Sequence, residues 1–329
     1  MMELIIRHQF RDLGDFYVTS FFNKLYNELI TKFSKHSFTI QNEPKYENNG
    51  YGSVYSCMNF SIINPENEQY ILISFFDNWK YHFMQHLGWK PSKMVQFFYP
   101  GGFNYIDYFA FKKYEKNNPD ICCPSDIQNR YFSFFSVPYE AGSLEVMESL
   151  FKSRSSDTTI PELYFRGYMW DFRKLMVGDI KDSSILIIDK NNDNQLLDYH
   201  TYLKELSQHR AALSLPGGTE VCNRDIECFG VGVPVIRPYL NIQYPDPLIP
   251  NYHYISCYTD CKYWDGNPWY LNYTEFTKYL EYYWNKIKDD IEYLDFMVTN
   301  ARSWFVEHCI LENNIQYVLS QISLEDLND

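Results

Sequence analysis

The sequence predicts an α/β fold, and three observations carry that prediction. Short apolar runs bounded by polar or glycine-rich turns recur along the chain, segments of helical period separate them, and one stretch joins both patterns in a single unit. That stretch, Leu213–Pro238, reads LSLPGGTEVCNRDIECFGVGVPVIRP: strand, glycine loop, short helix, tight turn, strand. A glycine loop feeding a helix presents free backbone N–H groups and the positive end of a dipole, which suits a phosphate. Glu227, one to two turns in, is placed to accept hydrogen bonds from ribose hydroxyls. Gly232 and Pro234 close the helix, and Val235 and Ile236 begin a new strand. The combination predicts a nucleotide held at the carboxyl edge of a parallel sheet.

The elements follow in order. Leu4–Arg7 is a strand leading into the polar loop 8–15, and Phe21, Leu25, Leu29 and Phe33 share one helical face. Ser37–Ile40, Phe60–Ile63, Tyr70–Phe76 and Met94–Phe98 read as strands, with a turn over Asn64–Glu68 and a helix over Trp79–Leu87. Lys152–Thr159, KSRSSDTT, has the composition of a linker and divides the chain into domains at 1–155 and 156–329. A second α/β series follows: a strand over Leu163–Phe165, a helix from Asp171, the buried strand SILII at 184–188, a helix over Tyr199–His209, the strand Ala211–Leu215, and a short strand over His253–Cys257. From Thr274 onward Phe276, Leu280, Tyr283, Ile287, Ile291, Leu294, Val298, Ala301 and Phe305 step by threes and fours, until Asn313 and Asn314 break the pattern, and Ile315–Ile322 makes a short terminal helix.

Composition narrows the partners. The chain of 329 residues carries a net charge of −13, against the basic face that a nucleic-acid backbone would require. No run approaches the length of a membrane span, and Met1–Arg7 enters a strand pattern without the zones of a signal peptide. The expectation is a soluble, cytoplasmic protein. The eight cysteines are scattered without zinc-ligand spacing, and the histidines lack ligand spacing too, so no metal site is expected. The 30 tyrosines suit a sugar-binding surface, although an A/T-rich coding sequence enriches the same residue.

The segment ECFGVGVPVI, with its pattern Glu-x4-Gly-x-Pro-Val, resembles the donor half of GT-B glycosyltransferases. ELYFRGYMWDFRKLM (162–176) is similar to the first strand and arginine loop of exostosin-like and protein O-glucosyltransferase-like donor domains. YLKELSQHRAALSLPG (202–217) and TNARSWFVEHC (299–309) extend the likeness over roughly residues 160–310. The resemblance implies two Rossmann-like domains facing a central cleft, with C-terminal helices packing back on the first domain. It also implies transfer of a sugar from a UDP- or GDP-linked nucleotide sugar to a hydroxyl of a glycan or glycoconjugate acceptor, without a metal or other cofactor. Glu227 then binds the ribose. Arg166, Arg173, Gly217, Gly218, Thr219, Asn223 and Arg224 are the expected donor-binding residues, the arginines because a planar guanidinium fits a diphosphate. Arg173 reads equally as a surface charge, and Arg224 as a partner of Asp225. Glu220 lies seven before Glu227, where many retaining members have acids eight apart, so the stereochemistry stays open.

An inverting transfer needs a base to deprotonate the acceptor. Asp77, which follows the run ILISFF, is the first candidate, and Asp12, Asp15 and His8 come next; Asp77 reads also as a helix N-cap. Two other functions fit the same residues: a sugar-nucleotide epimerase of this architecture, and a non-catalytic nucleotide- or sugar-binding protein.

Overall fold

In the computed structural model, which describes residues 3–9, 16–35, 37–42, 58–66, 70–76, 93–98, 130–134, 143–169, 171–192, 197–216, 222–240, 248–258, 262–264, 267–270, 273–321 and 323, the chain divides into two units. One comprises Met1–Val137 with Ile310–Asp329, the other Pro138–Cys309.

The first unit holds a sheet of β1 (Glu3–Gln9), β2 (Ser37–Asn42), β3 (Met58–Ile63), β4 (Tyr70–Phe76), β5 (Lys93–Phe98) and β6 (Arg130–Phe134), in the order β2-β1-β3-β4-β5-β6. Strands β1 and β2 are parallel, as are β4, β5 and β6, but β3 runs antiparallel to both β1 and β4. This mixed sheet departs from the Rossmann-like pattern expected of the first half. The connection over residues 64–69 is too short for the crossover of roughly a dozen residues that parallel neighbours require, so β3 and β4 form a hairpin. Helix α1 (Phe16–Lys32) buries Leu25 and Leu29, with Phe33 just beyond its end. The last helix, Leu311–Gln321, joins this unit: Lys24 pairs with Glu312, and the Lys32 ammonium donates to the Leu319 carbonyl.

The second unit begins with α2 (Ser143–Ser153) and a short 3-10 turn, Ser156–Thr158. Lys152–Thr159 is therefore built into this unit. Arg154 donates to the His209 and Arg210 carbonyls at 3.3 and 3.1 Å, and the Ser156 hydroxyl donates to Asp295. Then come β7 (Ile160–Gly167), α3 (Asp171–Val177), β8 (Ile185–Asp189), α4 (Tyr199–Gln208), β9 (His209–Leu213), α5 (Asn223–Val231), β10 (Val235–Pro238), β11 (Ile255–Tyr258), the hairpin β12 (Lys262–Trp264) and β13 (Asn267–Tyr270), α6 (Tyr273–Ile287) and α7 (Ile291–Cys309). The long helical period from Thr274 resolves into two helices because Asp290 caps the second, accepting from the Tyr293 N–H at 3.0 Å. Asn313 and Asn314 sit inside the last helix, which starts after a bend at Ile310.

Strands β7 to β11 form a wholly parallel sheet in the order β11-β10-β9-β7-β8. Side chains alternate across it. Leu163 and Phe165 of β7, Leu213 of β9, Ile236 of β10 and Ile255 of β11 join Met176 of α3 and Phe276, Leu280 and Trp284 of α6 in one core. The Trp284 indole N–H donates to the Ser184 hydroxyl at 2.8 Å, which satisfies the polar edge of a fully buried ring. Tyr164 and Arg166 of β7 point to the other face, toward α4. Helix α5 packs close to α2 and α7 through Gly230, where a Cβ would lie 2.5 Å from Met147 Sδ.

Gly232 ends α5 in the left-handed region at φ 76, with its N–H bonded to the Cys228 carbonyl. A Cβ there would also lie 2.6 Å from the Phe151 ring. Gly232→Ala is expected to destabilise the protein by at least about 1–2 kcal/mol, read as a lower urea midpoint at unchanged slope.

Candidate functional site

The strand order reverses between β7 and β9: the chain steps from β7 outward to β8, then returns past β7 to β9 and continues to β11. In open α/β sheets such a reversal leaves a crevice beyond the carboxyl ends of the two strands. Tyr168 and Met169 leave β7 on one side of it, and Ser214–Pro216 leave β9 on the other.

Arg173 of α3 ties these two exits together. Its Nη1 donates to the Tyr168 carbonyl at 2.8 Å, its Nη2 to Leu215 at 3.0 Å, and its Nε to Pro216 at 2.7 Å. The residue is buried, so its reading as a surface charge is corrected: its stem packs into the sheet end and its donors cross-link two loops. Burial is the main cause that lowers its pKa, and the nearby Arg224 charge works in the same direction.

Arg224, in the first turn of α5, reaches over the end of β7. Its guanidinium stands 4.1 Å from the Phe165 ring centroid, and its Nη2 donates to the Arg166 carbonyl. The guanidinium of Arg173 lies over the same ring at 5.6 Å. Gly167 makes room for this crossing, since a Cβ there would lie 2.9 Å from Arg224 Nη2 and 3.1 Å from Phe165. Arg224 Nε is buried with no hydrogen-bond partner among the described residues. Burial opposes its charge, but the facing Tyr202 and Glu227 raise its pKa overall.

Glu227 lies one turn further along α5 and is buried. The Tyr202 hydroxyl of α4 donates to Glu227 Oε2 at 3.0 Å. Burial raises the Glu227 pKa, against the opposing pull of Arg224, of hydroxyls from Tyr202 and Tyr199, and of Lys190. Lys190 follows β8; its ammonium stands 5.6 Å from the Tyr202 ring and 5.9 Å from the Tyr168 ring.

Arg166 takes a different place from the one its strand-end position suggests. Its Nη2 and Nε donate to Glu205 of α4 at 3.0 and 3.2 Å, and Nε also reaches the Tyr164 hydroxyl at 3.1 Å. The sheet's alternation turns it under α4. Asp225, an expected partner of Arg224, instead pairs with the fully buried Arg237 of β10 and accepts from the Cys222 N–H at 2.9 Å. Asn223 opens α5. Gly217, Gly218, Thr219 and Glu220 lie outside the described residues, as do Asp77, Asp15 and the segment Trp79–Leu87.

Sequence reasoning missed Tyr202, Glu205, Lys190 and Phe165. Tyr202 and Glu205 are three apart on α4 and thus share a face, the one signal available. Their partners lie on other elements, 25 and 39 residues away. No helix among the described residues is long and apolar enough to cross a membrane. No family model matches the chain, and no curated protein matches it in sequence.

The raised pKa of Glu227 sets a pH dependence. The folded protein holds this proton more tightly than the unfolded chain does, so the group's contribution to stability is full below the unfolded value of 4.5 and is lost as pH rises through the folded pKa. Glu227→Gln removes that titration. The stability of the variant minus that of the wild type is expected to become more positive from pH 4 to pH 7, measured by urea unfolding; a flat difference would show that Glu227 ionises as it does in water.

Proposed function

We propose that the second unit binds the nucleoside diphosphate of a UDP- or GDP-linked sugar, and that the chain is a glycosyltransferase of GT-B architecture acting on a hydroxyl of a glycan or glycoconjugate. One observation carries the reading: two guanidiniums, Arg173 and Arg224, stand over the single Phe165 ring at the strand-order reversal. Two like charges held together at a low-dielectric sheet end favour a polyanion between or beside them. A diphosphate supplies that charge, and the resemblance of ECFGVGVPVI to donor domains supports the same site.

Arg224 is the phosphate ligand in this reading, since its guanidinium reaches over the end of β7 where the strand order reverses. Arg173 contributes field and holds the loop, while Arg166 is engaged by Glu205. Glu227 receives the ribose hydroxyls in exchange for tyrosine hydroxyls that now bond it. In the transfer the bond between the anomeric carbon and the diphosphate oxygen breaks, the electron pair leaves with the diphosphate, and the acceptor oxygen bonds to that carbon. The guanidinium charge stabilises the leaving group. The acceptor proton passes to a carboxylate, for which Asp77, next in sequence after β4, is the first choice and Asp15 the second.

Thermal shift tests the donor site. UDP or GDP at a hundredfold excess over Kd is expected to stabilise the wild type by about 2.7 kcal/mol. Arg224→Ala and Glu227→Ala, checked for folding by circular dichroism, are expected to lose that shift. Its survival in both variants sinks the donor-site assignment. Once an acceptor is found, Asp77→Asn is expected to lower kcat by about a hundredfold or more, as loss of a general base does; wild-type turnover would remove Asp77 from the chemistry.

A further inference from the structure

Tyr168 is the residue of the crevice whose exposure the proposed chemistry leaves unexplained. It follows β7 directly and is 51% exposed, although its backbone is fixed on every side. The Lys190 N–H donates to the Gly167 carbonyl before it at 3.0 Å, and Arg173 Nη1 donates to its own carbonyl at 2.8 Å. The Met169 N–H after it donates to Asp189 Oδ1 at 3.3 Å. An aromatic ring mounted on a backbone held this firmly and left in water forfeits its own burial. It forms a preordered flat surface that orders little more when something settles on it.

Its position relative to the other groups says what that surface takes. Lys190 Nζ stands 5.9 Å from the Tyr168 ring and 5.6 Å from the Tyr202 ring, and Tyr202 in turn holds Glu227 at 3.0 Å. The Lys190 ammonium thus links the Tyr168 ring to Tyr202 and to Glu227, the carboxylate assigned to the ribose. We propose that Tyr168 is the stacking platform for the nucleobase of the bound nucleotide, with Lys190 directed at the base edge or the ribose. This inference rests on the nucleotide-binding reading of the site. A π-face accepts any base, so Tyr168 supplies affinity and orientation and leaves the choice of base to edge contacts.

Isothermal titration of the full chain with UDP, GDP and inorganic pyrophosphate separates the contributions. The wild type is expected to bind a nucleoside diphosphate more tightly than pyrophosphate. Tyr168→Ala should weaken nucleotide binding about tenfold or more while leaving pyrophosphate binding unchanged, and Tyr168→Phe should bind as the wild type does. Tyr239, also exposed but beyond the end of β10, serves as the control, and Tyr239→Ala should change neither affinity. If the wild type binds neither nucleotide, the nucleotide site itself falls, and this platform with it. If nucleotide binds and Tyr168→Ala binds it equally well, or Tyr239→Ala carries the loss, the platform alone is overturned. Equal wild-type affinity for pyrophosphate and nucleotide overturns it as well, because the base then contributes nothing.

Discussion

A single guanidinium holds the two sides of the crevice in register. Arg173 spends its donors on the carbonyls of Tyr168, Leu215 and Pro216, which belong to the loops leaving β7 and β9. Those carbonyls lie past the ends of the strands, where the sheet ladder no longer supplies donors, and a buried carbonyl left unpaired is costly. Because β7 and β9 diverge into helices on opposite faces of the sheet, no strand pairing can keep their exits together. A long cationic side chain from α3 does so, and every other group of the site is positioned relative to the loops it fixes.

The other buried arginines at this sheet divide the charge in a consistent way. Arg166 is matched by Glu205 and Arg237 by Asp225, each pair joining a strand to a helix that covers it. Pairs of this kind contribute little net stability after desolvation, but losing one partner strands the other in the interior, so they hold α4 and α5 in one arrangement. Arg224 is matched differently. Its counter-charge is Glu227, whose own carboxyl is pushed toward neutrality by burial. The charges of Arg173 and Arg224 therefore gather around Phe165, at the reversal of the strand order.

Much of this sheet was legible in the sequence, for a physical reason. A parallel strand covered on both faces reads as an unbroken apolar run, and VPVI does so plainly, whereas SILII, expected to be buried, is a half-buried edge strand. The burial of Glu227 was legible because the acid stands in the apolar run IECFGVGV. The mixed sheet of the first unit was not, because strand direction depends on which runs become neighbours rather than on the runs themselves. Arg166 shows the same limit at the level of a side chain. Its place at the carboxyl end of β7 pointed to a ligand, but the strand's alternation directs it toward Glu205, 39 residues away. Nothing local to ELYFRG records that encounter. Gly167 was the informative neighbour: a glycine closing a strand leaves space for something to cross, and here it is the guanidinium of Arg224.

The first turn of α5 also changes which force would hold an anion. A glycine loop before a helix suggests that the dipole and free N–H groups do the binding. Here the Asp225 carboxylate already occupies the positive end of the helix, accepting from the Cys222 N–H and pairing with Arg237. A phosphate set directly on that turn would meet a negative charge. The positive potential lies instead one residue earlier and to the side, where Arg224 crosses Gly167 toward Arg173. Point charges of this kind reach farther than a capped dipole. The helix thus serves as the rigid mount that presents Arg224 and Glu227 one turn apart.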